Sequence, residues 1–215
     1  MVELQHRSIE PHELSTFRAE YPEATPNDFD SPAFRMTKAR CKTALHQDQG
    51  GLCAYCEIFL TQSDGQIDHI KPKSGNNAYP HLCFTYSNYA HSCINPHTCG
   101  QKKKNGLLPI EPGPGCNREW TLSGSGDVVP LLAITKARRH AVRQTCDMLG
   151  LNKDTNLVDE RKKWLDQMNN VMQQAPDDIQ LFLQQAPFRH MLATVCQPEI
   201  DSDSHDSFAS DGKFL

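Results

Sequence analysis

Apolar residues fall into helical patterns toward both ends of the chain, whereas residues 51–106 contain few apolar runs of any length. Residues 11–20 read as a short helix, and Pro11, Pro22, Pro26 and Pro32 make the stretch up to residue 34 an extended arm. Ser31-Pro32 opens a second helix that stops at Gly50-Gly51. Ala33, Met36 and Ala44 are expected on its inner stripe, and Arg35, Lys38, Arg40 and Lys42 on its outer face, toward solvent or nucleic-acid phosphate. Residues 107–130, with PGPG at 112–115 and SGSG at 123–126, read as loops with a hairpin of Trp120–Leu122 against Val128–Leu131. Helices are then expected over 133–149 (Ala133, Ala137, Ala141 and Met148 inward) and over 155–174, with Leu157, Trp164, Leu165, Met168 and Val171 at helical spacing. Pro176-Asp177-Asp178 opens another short helix, and Pro187 a last one through Cys196. The predicted organisation is an arm and helix (1–49), a central segment (50–130), a helical region (131–197) and an acidic flexible tail (198–215).

Composition narrows the class. The chain has 215 residues, 38 % of them hydrophobic, and no stretch of the ~18 apolar residues that a membrane-spanning helix needs. The first residues lack a signal-type apolar core, and nine cysteines is an odd number, so a reducing, cytoplasmic setting is expected, where spaced cysteines more often mean metal than disulfide. The net charge of −4 conceals a segregation: residues 35–163 carry eighteen basic and eleven acidic side chains between acidic flanks. A basic centre of this kind permits a polyanionic partner, although it equally suits an ordinary solvated surface.

The apolar-poor segment carries the chemistry. Cys53 and Cys56 form a C-x2-C pair after a double glycine, and Cys93 and Cys99 form a wider second pair. Four thiolates close a tetrahedral Zn2+ site, and metal ligation can stand in for a hydrophobic core. Such a closed site has no open position for substrate, so its role would be structural. Between the pairs, Ile67-Asp68-His69-Ile70 reads as a short β element in which an acid suited to a hard divalent cation adjoins a histidine suited to taking a proton from water. Asn88 lies further along, and Lys102, Lys103 and Lys104 come after the last cysteine of the set.

The order C-x2-C, Asp-His, Asn, C…C resembles the zinc-containing HNH endonucleases. The resemblance implies an α+β fold: a zinc-stabilised ββα-metal core, a helical N-terminal arm and a helical C-terminal region. It implies Asp68 as a ligand of a catalytic Mg2+ or Mn2+, His69 as the general base, and Asn88 as the residue that fixes the loop and orients the histidine. Cys53, Cys56, Cys93 and Cys99 would hold the structural zinc. The residue directly after the last zinc cysteine is normally a third, cation-binding His or Asn, and here it is Gly100. Asn105, expected on the helix that packs over Asp68-His69, is the first candidate to replace it, and His97 is the second.

The CG-x-KK-x-N run and the ARRHAVRQTCDMLGLN segment, followed by L-x-x-x-R, are similar to the PtuB-type nucleases of Septu and retron anti-phage systems. That resemblance implies a PtuA-type ATPase partner and, in the retron version, a reverse transcriptase with its multicopy single-stranded DNA (msDNA). The implied reaction is nucleic-acid phosphodiester hydrolysis, DNA favoured and RNA such as tRNA an alternative. A zinc-stabilised binding adaptor is the competing class. A zinc-module transcription factor fits poorly, for want of a helix-turn-helix or a two-cysteine, two-histidine finger spacing. Lys71, Lys73 and Lys102–Lys104 are expected at the surface, where they could meet flanking phosphates. Cys41, Cys83, Cys116, Cys146 and Cys196 are read as small buried residues, and His81 and His91 as loop residues.

Overall fold

The computed structural model describes residues 1–196. The expectation of a loose acidic tail from Pro198 lies outside the described residues. Among the described residues no helix is long and apolar enough to cross a membrane.

The described residues mix seven α-helices with two small antiparallel sheets. Helix α1 spans His12–Glu20 and α2 Arg35–Asp48, with a 3-10 turn at Pro26–Asp30 between them. Strands β1 (Gln66–His69) and β2 (Tyr89–Ser92) pair antiparallel, Asp68 opposite Ala90 and His69 opposite Tyr89. Helix α3 (Cys99–Lys103) comes next. The second hairpin joins β3 (Trp120–Leu122) to β4 (Val128–Pro130). The C-terminal helices are α4 (Lys136–Leu149), α5 (Thr155–Gln174), α6 (Ile179–Gln185) and α7 (Arg189–Ala193).

The β1–β2 ribbon separates two apolar clusters, because successive strand residues face opposite sides. Ile67 and Tyr89 belong to the first cluster, with Phe17, Phe29 and Phe34 of the N-terminal arm and Cys41 and Leu45 of α2. Ala90 and the adjoining Ile70 belong to the second, with the cysteine cluster, the second hairpin and α4 to α7. The ribbon is therefore clamped on both faces, which fixes its register and the direction of each side chain.

Most predicted elements form where the periodicity places them, but two helical faces are rotated. Ala44 is buried as expected, but Ala33 is exposed and Met36 is 68 % exposed, and α2 also buries Thr37, Cys41 and Leu45. In α4, Ala141 and Met148 pack partly buried against the core as expected, but Ala133 precedes the helix, Ala137 is exposed, and the buried residues are Val142, Thr145, Cys146 and Leu149. Alanine and methionine patterns misled because the true faces include threonine and cysteine, which a purely apolar stripe passes over. Cys196 is exposed, whereas Cys41, Cys83, Cys116 and Cys146 are buried. His91 is a buried β2 residue, and His81 lies in a short 3-10 turn between the two strands.

Candidate metal centre and nuclease cleft

Residues 52–59 fold back on themselves as a tight turn, with Leu52 bridged to Phe59 and the Cys53 N–H donating to the Ile58 carbonyl at 2.9 Å. Gly51 and Glu57 adopt left-handed φ values of +75° and +62°, which turn the chain sharply on either side of Cys53 and Cys56. The second pair comes from the end of β2 and the start of α3. The four Sγ atoms lie within 4.8 Å of one another and all four residues are buried. Cys53 and Cys99 approach to 3.7 Å and Cys56 and Cys93 to 4.0 Å. A tetrahedron with ~2.3 Å zinc–sulfur bonds has edges of about 3.8 Å, so the donor set fits structural zinc without rearrangement. The Cys93 N–H also donates to Cys53 Sγ at 3.3 Å, the kind of contact that steadies a thiolate ligand.

On the adjoining ribbon, His69 and Asp68 point to opposite faces. His69 enters the aromatic cluster, edge-on to Phe29 (ring centroids 4.5 Å apart) and to Tyr89 (5.2 Å). Its Nε2 lies 3.0 Å from the Cys83 carbonyl oxygen. A carbonyl can only accept, so Nε2 carries the proton and the lone pair resides on Nδ1. Burial, with Lys73, Lys103 and Lys38 nearby, brings the imidazole pKa down to about 4, so the ring is neutral at physiological pH.

Asn88 does not touch this imidazole. Its Oδ1 accepts from the Lys71 N–H at 2.8 Å, and its Nδ2 donates to the carbonyls of Lys71 (3.0 Å) and Leu82 (3.2 Å). It ties together the two ends of the loop over residues 70–88, which carries the Cys83 carbonyl. Asn88 hydrogen-bonds within this loop, and the contact to the imidazole is made by the Cys83 backbone carbonyl. Asn88→Ala should unpair three backbone groups in the loop, at ~1–3 kcal/mol for each buried one. A lower melting temperature, with a drop in cleavage that thermal stabilisation by added salt or osmolyte fails to restore, is the expected outcome.

Asp68 faces the other way. Its Oδ2 accepts from the Tyr55 hydroxyl and pairs with Lys103 Nζ at 3.0 Å, the lysine side chain being fully buried. Lys103 is therefore withdrawn from the surface position expected of it, because its ammonium also donates to the His69 carbonyl at 2.8 Å. Burial raises the Asp68 pKa, opposed by Lys103 and by the Tyr55 hydroxyl. Gly100 explains the close packing of α3 on β1: a Cβ there would lie 3.0 Å from Asp68 Cγ and Oδ1. Position 100 thus lies beside the acid, and glycine lets the helix close in upon it.

Asp68 and His69 both reach a cleft of about 240 Å3, whose wall includes Gly100, Lys104 and Asn105. Helix α3 ends at Lys103 and Lys104 turns the chain at φ +51°, so Asn105 stands beyond the helix and not on it. It is exposed on the cleft rim, its Oδ1 accepting from Ser74 at 3.2 Å. His97 is exposed, its carbonyl against Gly150 at the end of α4, and it does not line the cleft. A larger groove of about 670 Å3 beside the end of α1 is lined by acids such as Glu20, Glu23 and Asp28 with no base among them. It is a poor candidate for chemistry on a polyanion.

A neutral histidine with one nitrogen pinned, an adjacent acid, lysines in the same cleft and four thiols spaced to hold a metal ion form a set compatible with nuclease chemistry. No family model matches the chain. It is 42 % identical over 174 residues to a Vibrio cholerae serotype O1 biovar El Tor protein named "Retron Vc95 putative HNH endonuclease". The match covers 78 % of this chain and 84 % of that protein. The chain belongs to the retron-associated HNH endonuclease family and is a nuclease.

Proposed function

We propose that the chain is a divalent-metal-dependent endonuclease that hydrolyses DNA phosphodiester bonds in a bacterial anti-phage defence complex, and that β1, β2 and α3 form its ββα-metal core. The observation that carries the reading is His69, neutral, with Nε2 held by the Cys83 carbonyl, at the cleft that Asp68 also lines. In this reading His69 Nδ1 takes the proton from the attacking water, since it is the ring atom with a lone pair. Asp68 is one protein ligand of the cation, its Oδ2 steadied by Tyr55 and Lys103. Bound there, Mg2+ or Mn2+ supplies electrostatic stabilisation to the phosphoryl oxygens and the leaving oxygen. Asn88 acts through the loop, and Lys104 at the cleft wall is available to a flanking phosphate.

The rim position of Asn105 supports it over His97 as the further cation ligand. Asn105→Ala should raise the Mg2+ or Mn2+ concentration needed for half-maximal cleavage, and His97→Ala should leave it unchanged. An unaltered metal dependence in Asn105→Ala would leave Asp68 and water as the cation's ligands. The retron of the Vibrio cholerae relative supports a setting with a reverse transcriptase and msDNA, and the resemblance to PtuB-type nucleases supports a PtuA-type ATPase partner. Purification of the tagged chain from cells expressing its genomic neighbours, with cleavage assays on duplex DNA, single-stranded DNA and total RNA, tests partner and substrate together. Cleavage of RNA alone would overturn the DNA preference.

A further inference from the structure

The cleft carries at its mouth an acidic group from a distant part of the chain. The 3-10 turn Pro26–Asp30 lies against β1 through Phe29, with Asp30 at its tip. Asp30 Oδ1 pairs with Lys38 of α2 at 2.5 Å and Oδ2 lies 3.6 Å from Lys73 of the loop after β1. Asp30 is 70 % exposed, whereas the lysine side chains are 33 % and 23 % exposed. Both ammonium groups also stand 4.4 Å from the centroid of the Phe29 ring, which fixes them on the wall that holds His69.

We propose that Lys38 and Lys73 form a seat for one backbone phosphate of the nucleic-acid substrate, and that Asp30 occupies this seat in the free protein until a phosphate displaces it. The inference rests on the nuclease reading above for the identity of the polyanion. It stands on the match between the two anions. A carboxylate and a phosphodiester each spread one negative charge over two oxygens, so a pair of lysines arranged around the first is arranged for the second. The lysines are half-buried and held by an aromatic ring, so the seat persists when Asp30 leaves. Asp30 itself is mostly in solvent, and an exposed ion pair contributes little, so its displacement costs little. A phosphate gains in addition from release of its condensed counterions, which the tethered carboxylate does not. Asp30 thereby disfavours weak, adventitious anions at the cleft while yielding to a strand held along its length.

The test is binding by the full-length chain, in buffer free of divalent cations, to a fluorescein-labelled 30-base-pair duplex DNA and to a single-stranded RNA of one strand's sequence. Asp30→Asn should tighten binding about two- to fivefold, the displacement cost of exposed ion pairs. Lys38→Gln and Lys73→Gln should each weaken binding, and removing both should lower the slope of log K against log salt by about one, the contribution of a single phosphate. In the Lys38→Gln/Lys73→Gln background, Asp30→Asn should have no effect, which separates a shared seat from a general change in charge. Melting curves of each variant identify loss of fold. The seat is overturned if Asp30→Asn binds no more tightly, if its gain survives removal of both lysines, or if neither probe binds the unmodified chain at low salt. A chain that cleaves normally without the Asp30 effect lacks the seat but keeps the nuclease reading. One that shows the full binding pattern without cleaving keeps the seat and loses that reading.

Discussion

Replacing His69 with alanine is expected to reduce cleavage by about 10²–10⁴-fold, the usual contribution of a positioned general base. Zinc content, melting temperature and partner binding should change little by comparison. The imidazole lies between Phe29 and Tyr89, so the truncation leaves a cavity and some loss of stability. That loss is separable from the chemistry. His69→Phe fills much of the same space and should melt closer to the unmodified chain, yet it should be as inactive as His69→Ala. Cleavage within tenfold of the unmodified rate in either variant, at saturating Mg2+ or Mn2+, would remove His69 from the base role. The outcome also bears on the Cys83 carbonyl: if the pinned Nε2 sets the tautomer, then Asn88→Ala, which loosens the loop carrying that carbonyl, should lower kcat more than it raises KM.

The sequence made the four cysteines and the Asp68-His69 pair legible because their signal is local: pair spacing, a double glycine and adjacent residues on one strand. The helices were legible in extent but less so in facing, since Thr37 and Thr145 are buried at core positions that look polar. The partners of the candidate site were not legible. Tyr55 lies inside the C-x2-C pair, where it reads as filler, and Lys103 is one of three consecutive lysines, of which only the fold selects the one that turns inward to Asp68. Phe29 and Asp30 come from a proline-interrupted arm with no pattern linking them to a strand some forty residues later. The Cys83 carbonyl has no side-chain signature at all. These contacts depend on the ribbon being held between two clusters, a long-range arrangement that periodicity does not encode. The one positional cue in the chain was Gly100. Its lack of a side chain suggests a missing ligand, and in the fold it marks where α3 packs directly on the acid.

Removing a ligand from the four-cysteine centre is expected to have the largest effect on stability. Cys53→Ser should abolish tight retention of one zinc per chain, measured by metal analysis after dialysis, and should lower the melting temperature or prevent recovery of folded protein. Structural zinc in small domains binds with apparent free energies of ~10–16 kcal/mol near neutral pH, comparable with or larger than the ~5–15 kcal/mol by which whole domains are stable. The second apolar cluster is built around this centre, with Leu52, Ala54 and Tyr55 packed beside the thiols, so its loss cannot remain local. Tyr55 gives the failure a route to the proposed active site: it lies between Cys53 and Cys56 and donates its hydroxyl to Asp68. Cys41→Ala is the control, being buried in the other cluster, and should cost only the ~1 kcal/mol typical of deleting a small buried group while retaining the metal. If Cys53→Ser, or the unmodified chain stripped by a strong chelator, stays fully folded with an unchanged melt, the thiol cluster is not what holds this fold. Its role in positioning Asp68 would then have to be assigned to the packing of Tyr55 and Lys103 alone.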